Sequence, residues 1–146
     1  MSYPALAMVK AVYAAMVDGH TEILAEALME LTESFYSGMA RLRGRYAPTT
    51  SVDSLIQISP NFPISPIISL LTSDPKGLAA FCQRAGYIVR AIVAPTVPAG
   101  YERVRICLHA GNTHAQIDGL VNALGQWFEQ ERPKDKAQSQ MMAARL

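Results

Sequence analysis

The stretch from Ala94 to Gln116, A-P-T-V-P-A-G-Y-E-R-V-R-I-C-L-H-A-G-N-T-H-A-Q, limits the fold more than any other part of the chain. It reads as a proline-braced loop, a strand and the mouth of a helix. From Tyr101 the residues alternate. Tyr101, Arg103, Arg105, Cys107 and His109 fall on one side, and Val104, Ile106 and Leu108 on the other. The apolar triplet can bury against helices. The opposite side carries two guanidinium groups and an imidazole. Thr113 and Gln116 have the spacing of a capping box, so a helix is expected to open there.

The rest of the chain fills in an α+β pattern. Ala5, Met8, Val9, Val12 and Met16 predict a helix over 4–17, with Pro4 in its first turn and Asp18-Gly19 as its break. A second helix is expected from Thr21 to about Arg45. Leu24, Leu28, Leu31, Phe35 and Leu42 form its apolar seam, and Arg41, Arg43 and Arg45 crowd the end where cations suit the helix dipole. Residues 48–64 read as a Pro/Ser/Thr-rich loop around a short strand, Leu55 to Ile58. Pro66 to Leu71 is nearly all apolar and is expected to be a central strand. Asp74-Pro75 announces a helix that ends at Gly86. Tyr87 to Val93 reads as a strand. The helix after Thr113 carries Ile117, Leu120, Val121, Leu124, Trp127 and Phe128 on its inner side and is expected to stop at Pro133. The expected architecture is a two-layer small domain, helices on one face of a small sheet, preceded by two long helices. The divisions are 1–46 (a helical segment leading to another domain), 47–132 (the α+β unit) and 133–146 (a flexible polar tail). The sheet face bearing Arg103 and Arg105 needs a cover, which another domain would supply.

Composition narrows function mainly by exclusion. Of 146 residues half are hydrophobic, enough for a core, and the net charge of +1 gives no footprint for nucleic acid or an acidic membrane. No apolar run is long enough to span a bilayer, and Lys10 and Asp18 interrupt the only apolar stretch near the start, so no secretory leader is expected. Cys82 and Cys107 lie in apolar runs and are read as buried free thiols. His20, His109 and His114 show no ligand spacing, so no metal site is expected. Gly100 and Gly111 belong to no phosphate-binding motif and read as turn residues. Periodicity leaves two readings of Arg105 open: a fork that grips a substrate carboxylate, or a surface arginine on an edge strand. Arg103 reads as a solvated rim charge. Ala144-Arg145-Leu146 matches the small-basic-Leu pattern of a peroxisomal address, which implies a peroxisomal import receptor; without it the expected location is cytoplasmic.

The pattern Pro95-Thr96-Val97-Pro98, Gly100, Arg103-Val104-Arg105, Asn112-Thr113 and Ile117-Asp118-Gly119-Leu120 resembles the C-terminal domain of the α-oxoamine synthases. These are pyridoxal-phosphate enzymes of the aspartate-aminotransferase-like fold. Ser65-Pro66-Ile67 and Tyr3-Pro4-Ala5-Leu6 match further segments, so the resemblance covers residues 1 to about 130. It implies an acyltransferase that condenses alanine with an acyl-CoA, with loss of carbon dioxide. In the nearest branch the acyl-CoA is pimeloyl-CoA and the pathway is biotin synthesis. The resemblance also implies small-molecule substrates, a homodimer, a carboxylate grip at Arg105 and a substrate-side position for Thr96. The lysine that carries the cofactor lies upstream of Met1 in the family, as do the groups that hold the ring and phosphate. Lys10 and Lys76 are not in the motif that would replace it. The chain is therefore expected to be a truncated one, inactive alone, with no catalytic residue and no cofactor ligand of its own. Val93 stands where some members have Arg, and Asn112 where His is usual. Two alternatives stay open: a non-catalytic, partner-binding descendant of the family, and the same domain of a secondary-metabolite synthase.

Overall fold

A backbone N–H or C=O inside a core must find a partner, and β3 (Arg103–Cys107) finds partners on both sides. In the computed structural model, which describes residues 3–46 and 65–143, it is the middle strand of a three-stranded antiparallel sheet. On one side it pairs with β1 (Ile67–Leu71), on the other with β2 (Arg90–Ile92). Four helices complete the described residues: α1 (Tyr3–Val17), α2 (Glu22–Tyr46), α3 (Pro75–Arg84) and α4 (His114–Ala143).

The alternation read from the sequence holds along β3. Val104, Ile106 and, just past the strand, Leu108 are buried, whereas Arg105 and Cys107 are exposed. Ile68 and Leu70 of β1 pair with Ile106 and Val104 on the buried side. The expectation that Pro66 to Leu71 is central is corrected. Ile67 is 57% exposed and β1 is an edge among the described residues. A short apolar run cannot distinguish a strand covered on both faces from one covered on a single face. The strand expected over Tyr87–Val93 is trimmed to Arg90–Ile92. The strand expected at Leu55–Ile58 and the tripeptide Ala144-Arg145-Leu146 lie outside the described residues.

The helix boundaries follow local chemistry. Asp74 caps α3, its Oδ1 accepting from the Gly77 N–H at 2.9 Å, with Pro75 in the first turn. Gly86 follows the helix at φ +91° and Gly19 follows α1 at φ +77°, backbone positions that disfavour a Cβ. The Thr113–Gln116 capping box forms in both directions. The Gln116 N–H donates to Thr113 Oγ1 at 3.2 Å and the Thr113 N–H donates to Gln116 Oε1 at 3.0 Å. At its far end α4 does not stop at Pro133; it continues to Ala143. Proline removes one backbone donor, but the following Lys-Asp-Lys-Ala-Gln-Ser-Gln-Met-Met-Ala is rich in good helix formers, which carry the helix on.

The core joins α2, α3, α4 and one sheet face. Leu31, Phe35, Met39 and Leu42 of α2 meet Val121, Leu124 and Phe128 of α4 in one cluster with the strand residues. Two glycines let α2 and α4 approach closely. A Cβ on Gly38 would lie 2.9 Å from a Val121 methyl, and one on Gly125 would lie 2.9 Å from Leu42 Cδ1. The α2 seam packs only from Leu28 onward; Leu24 is exposed. Helix α1 buries no residue at all.

The two cysteines part company. Cys82 is buried, as expected, and burial pushes its thiol up to about 11. Cys107 is exposed, which corrects the expectation of two buried thiols, because strand parity puts it on the face that no described element covers. A thiol reagent at pH 8 is expected to label Cys107 quickly and Cys82 only on unfolding, which mass spectrometry of peptides from native and denatured protein will show. The pH dependence has a definite sign. Between the ordinary thiol value of 9.0 and about 11 the unfolded chain gives up a proton that native Cys82 keeps, so stability falls as pH rises. Burial raises Tyr36 as well, with the same sign at higher pH. Urea midpoints at pH 8 and pH 10 are expected to drop more in the wild type than in Cys82→Ala.

Candidate functional site

A sheet needs a second layer on each apolar face, and here α3 and α4 supply only one. The opposite face is set by the register. Arg105 lies between Ser69 of β1 and Arg90 of β2; Arg103 lies between Leu71 and Ile92; Cys107 lies beside Ile67. Directly opposed residues of antiparallel strands point to the same side, so these eight residues share one surface. It is a mixed surface, with three guanidinium groups and a thiol set among Ile67, Leu71 and Ile92.

The three arginines are not equivalent. Arg103 is half-buried, and its Nε donates to the Tyr101 carbonyl at 3.0 Å, which turns it toward the loop that precedes β3. Arg105 and Arg90 are exposed and make no ion pair with a described residue. Their backbones form a closely bonded pair. The Leu108 N–H donates to the Pro66 carbonyl and the Thr72 N–H to the Glu102 carbonyl, so even-numbered β3 residues face β1 and odd-numbered ones face β2. In such a pair the Cα atoms stand about 5.5 Å apart. Two like charges placed this way cost stability, on the order of a few tenths of a kcal/mol in an exposed sheet.

Arg105 was legible from strand parity, and the structure brings it to the middle of the open face. Arg90 was not singled out by sequence reasoning. The parity of residues 87–93 puts Ile88, Arg90 and Ile92 on one side, but only the pairing shows that this side is the one Arg105 uses. Thr96 sits on the exposed β2–β3 connection, its N–H donating to the Val93 carbonyl at 3.0 Å, next to a cis Ala94–Pro95 peptide. No hydrogen bond joins its hydroxyl to the arginines among the described residues. The loop leaves the sheet at the Arg103–Ile92 end, so the two sequence-predicted substrate residues are neighbours by topology and not by contact.

At the other end of β3 a cleft of about 570 Å³ opens between the segment after α3 and the start of α4. Tyr87, Val89, Cys107, His109 and Gln116 are among its walls. The turn above it is tied by a backbone bond, the Asn112 N–H to the His109 carbonyl at 2.9 Å, and by three bonds that use side chains: the His109 N–H to Asn112 Oδ1 at 2.9 Å, the Gly111 N–H to His109 Nδ1 at 3.1 Å, and the Asn112 side-chain amide to Gln116 Oε1 at 3.3 Å. Asn112 thus serves as a turn residue, as its short amide allows, and Thr113 as the cap. Among the described residues no group of three or more His, Cys, Asp or Glu is placed to hold a metal, and no helix is long and apolar enough to cross a membrane.

Comparison with known proteins gives one consistent answer. The chain is 44% identical over 137 residues to an 8-amino-7-oxononanoate synthase of Emericella nidulans, which covers 94% of this chain and 31% of that protein. It is 36% identical over 101 residues to the synthase of Alkalilimnicola ehrlichii, covering 69% of this chain and 23% of the relative. Against the synthase of Anaeromyxobacter dehalogenans it is 33% identical over 99 residues, 68% of this chain and 22% of the relative. The chain thus spans about a third or less of the length of these curated relatives. No family model matches it.

Proposed function

Because the chain belongs to the family of the 8-amino-7-oxononanoate synthases, which depend on pyridoxal phosphate, we propose that it supplies the substrate-side small domain of such an acyltransferase. In this reading the intact enzyme condenses alanine with pimeloyl-CoA and releases carbon dioxide and free CoA, a step of biotin synthesis. Arg105 grips the carboxylate of the amino acid. The observation that carries the reading is Arg105 itself: a planar fork of donors, central in the sheet, on the face that no described element covers, with no carboxylate partner among the described residues. Thr96 borders the same site from the β2–β3 loop.

The described residues offer no seat for the cofactor. Lys10 and Lys76 both stand exposed on helix surfaces, and the walls of the cleft include neither a lysine nor a carboxylate. The fit fails, and no chemical step through pyridoxal phosphate is assigned to these residues. In this reading the catalytic groups lie in the part of the family's length outside the matched segment, which is 31% of the Emericella nidulans synthase, and catalysis requires both parts.

The test is a chimera in which this chain replaces the matching segment of the Emericella nidulans synthase. It is expected to turn over alanine and pimeloyl-CoA. Arg105→Ala in the chimera is expected to raise the KM for alanine by about 10- to 100-fold, the worth of one charge-assisted bidentate contact. Cofactor absorbance should stay unchanged. A folded chimera with no activity would favour a non-catalytic, partner-binding domain, and unchanged alanine saturation in Arg105→Ala would remove Arg105 from the site.

A further inference from the structure

We propose that Arg90 and Arg105 together form one carboxylate-binding site, both guanidinium groups donating to the same anion. The proposal rests on the reading of Arg105 given above. Three observations carry it. The two arginines are direct cross-strand partners, so their side chains rise from the same face a single strand spacing apart. Neither has an ion pair with a described residue, although the pairing sets two like charges against each other. The third arginine of the face, Arg103, is tied to the Tyr101 carbonyl and is thereby set apart. Surface arginines without a task are dispersed or paired with carboxylates. Two unpaired forks side by side, flanked by Ser69 and the apolar Ile92, have the donor count for both oxygens of one carboxylate. A carboxylate between them also relieves the repulsion, so the anion and the strand pairing support each other.

The experiment uses the full 146-residue chain labelled with 15N, titrated with sodium acetate against sodium chloride at equal ionic strength. Amide and arginine Nε resonances are followed by NMR. In the wild type, residues 90 and 105 are expected to shift saturably with acetate and not with chloride. Arg90→Gln is expected to weaken acetate binding about five- to tenfold, and Arg90→Lys less, because lysine keeps the charge but loses the fork. Arg105→Gln should abolish the saturable shift. Arg103→Gln removes an equal charge from the same face and should change affinity by less than about twofold. Dispersed amide spectra of each variant confirm that the fold is kept.

The outcomes separate the two readings. If Arg105→Gln abolishes binding and Arg90→Gln leaves it intact, Arg105 keeps its role and the shared site is wrong. If Arg90→Gln abolishes binding and Arg105→Gln does not, both readings fall. The same holds if acetate and chloride shift the spectrum alike. An equal loss in Arg103→Gln and Arg90→Gln would reduce the effect to general surface charge and overturn the site.

Discussion

Phe35→Ala is expected to lower the stability of the chain by about 3–5 kcal/mol, the range for emptying a phenylalanine site in a packed core. Phe35 is fully buried and is among the largest side chains so placed. It stands on α2 at the seam with α4, in the cluster that includes Leu31, Leu124 and Phe128. The seam has little freedom to close over the gap. Gly38 and Gly125 already hold the two helices at contact distance through Val121 and Leu42, so a cavity would stay open. A domain of this size has a total stability of about 5–15 kcal/mol, and the variant is expected to be largely unfolded in low denaturant. Ile23→Ala, in the first turn of the same helix but 75% exposed, provides the contrast; it should move stability by less than about 0.5 kcal/mol. Urea unfolding followed by circular dichroism reads both. A Phe35→Ala midpoint close to that of wild type would mean that α2 does not dock on α4 as described.

The second large effect is expected from α1. None of its residues is buried, yet it carries Leu6, Met8, Val9, Val12, Tyr13 and Met16 in exposed positions, and Ile23 and Leu24 at the start of α2 are exposed as well. A contiguous apolar surface of this kind is rare unless something covers it. The chain on its own is therefore expected to self-associate in a concentration-dependent way. Replacing Leu6, Val9 and Val12 together by glutamate should give a monomer by sedimentation. The urea midpoint, read at a protein concentration low enough for the wild type to be monomeric, should stay where it was, because α1 contributes nothing to the core of the other elements. A wild-type chain that is monomeric at high concentration would show that α1 is not a contact surface. A fall in the midpoint would show that it packs on the domain after all.

Much of the local structure was legible in the residues themselves. The capping box at Thr113, the Asp74-Pro75 start, the glycine stops at Gly19 and Gly86 and the alternation along β3 depend on groups within about four positions of each other. Such chemistry travels with the sequence. The expected positions of Arg103 and Arg105 followed from the same short-range rule. Where short-range rules failed, they failed in recognisable ways. The Pro133 stop rested on one residue's propensity, and the helix formers beyond it prevailed. Cys107 was read from the apolar character of its neighbours, when its parity already placed it beside Arg105 on the open side.

The family pattern, from Pro95-Thr96-Val97-Pro98 through Arg103-Val104-Arg105 to Ile117-Asp118, was carried by the sequence alone, and the relatives bear it out. What the sequence by itself determined is therefore the order of the helices and strands among the described residues, the parity of β3 and the family. Which strand lies in the middle, which arginine stands opposite Arg105, and which apolar faces are left uncovered were decided by the tertiary structure. The physical reason is separation along the chain. Arg90 and Arg105 are fifteen positions apart and Ser69 and Arg105 thirty-six, and they become neighbours only through ladder hydrogen bonds whose register no local pattern specifies.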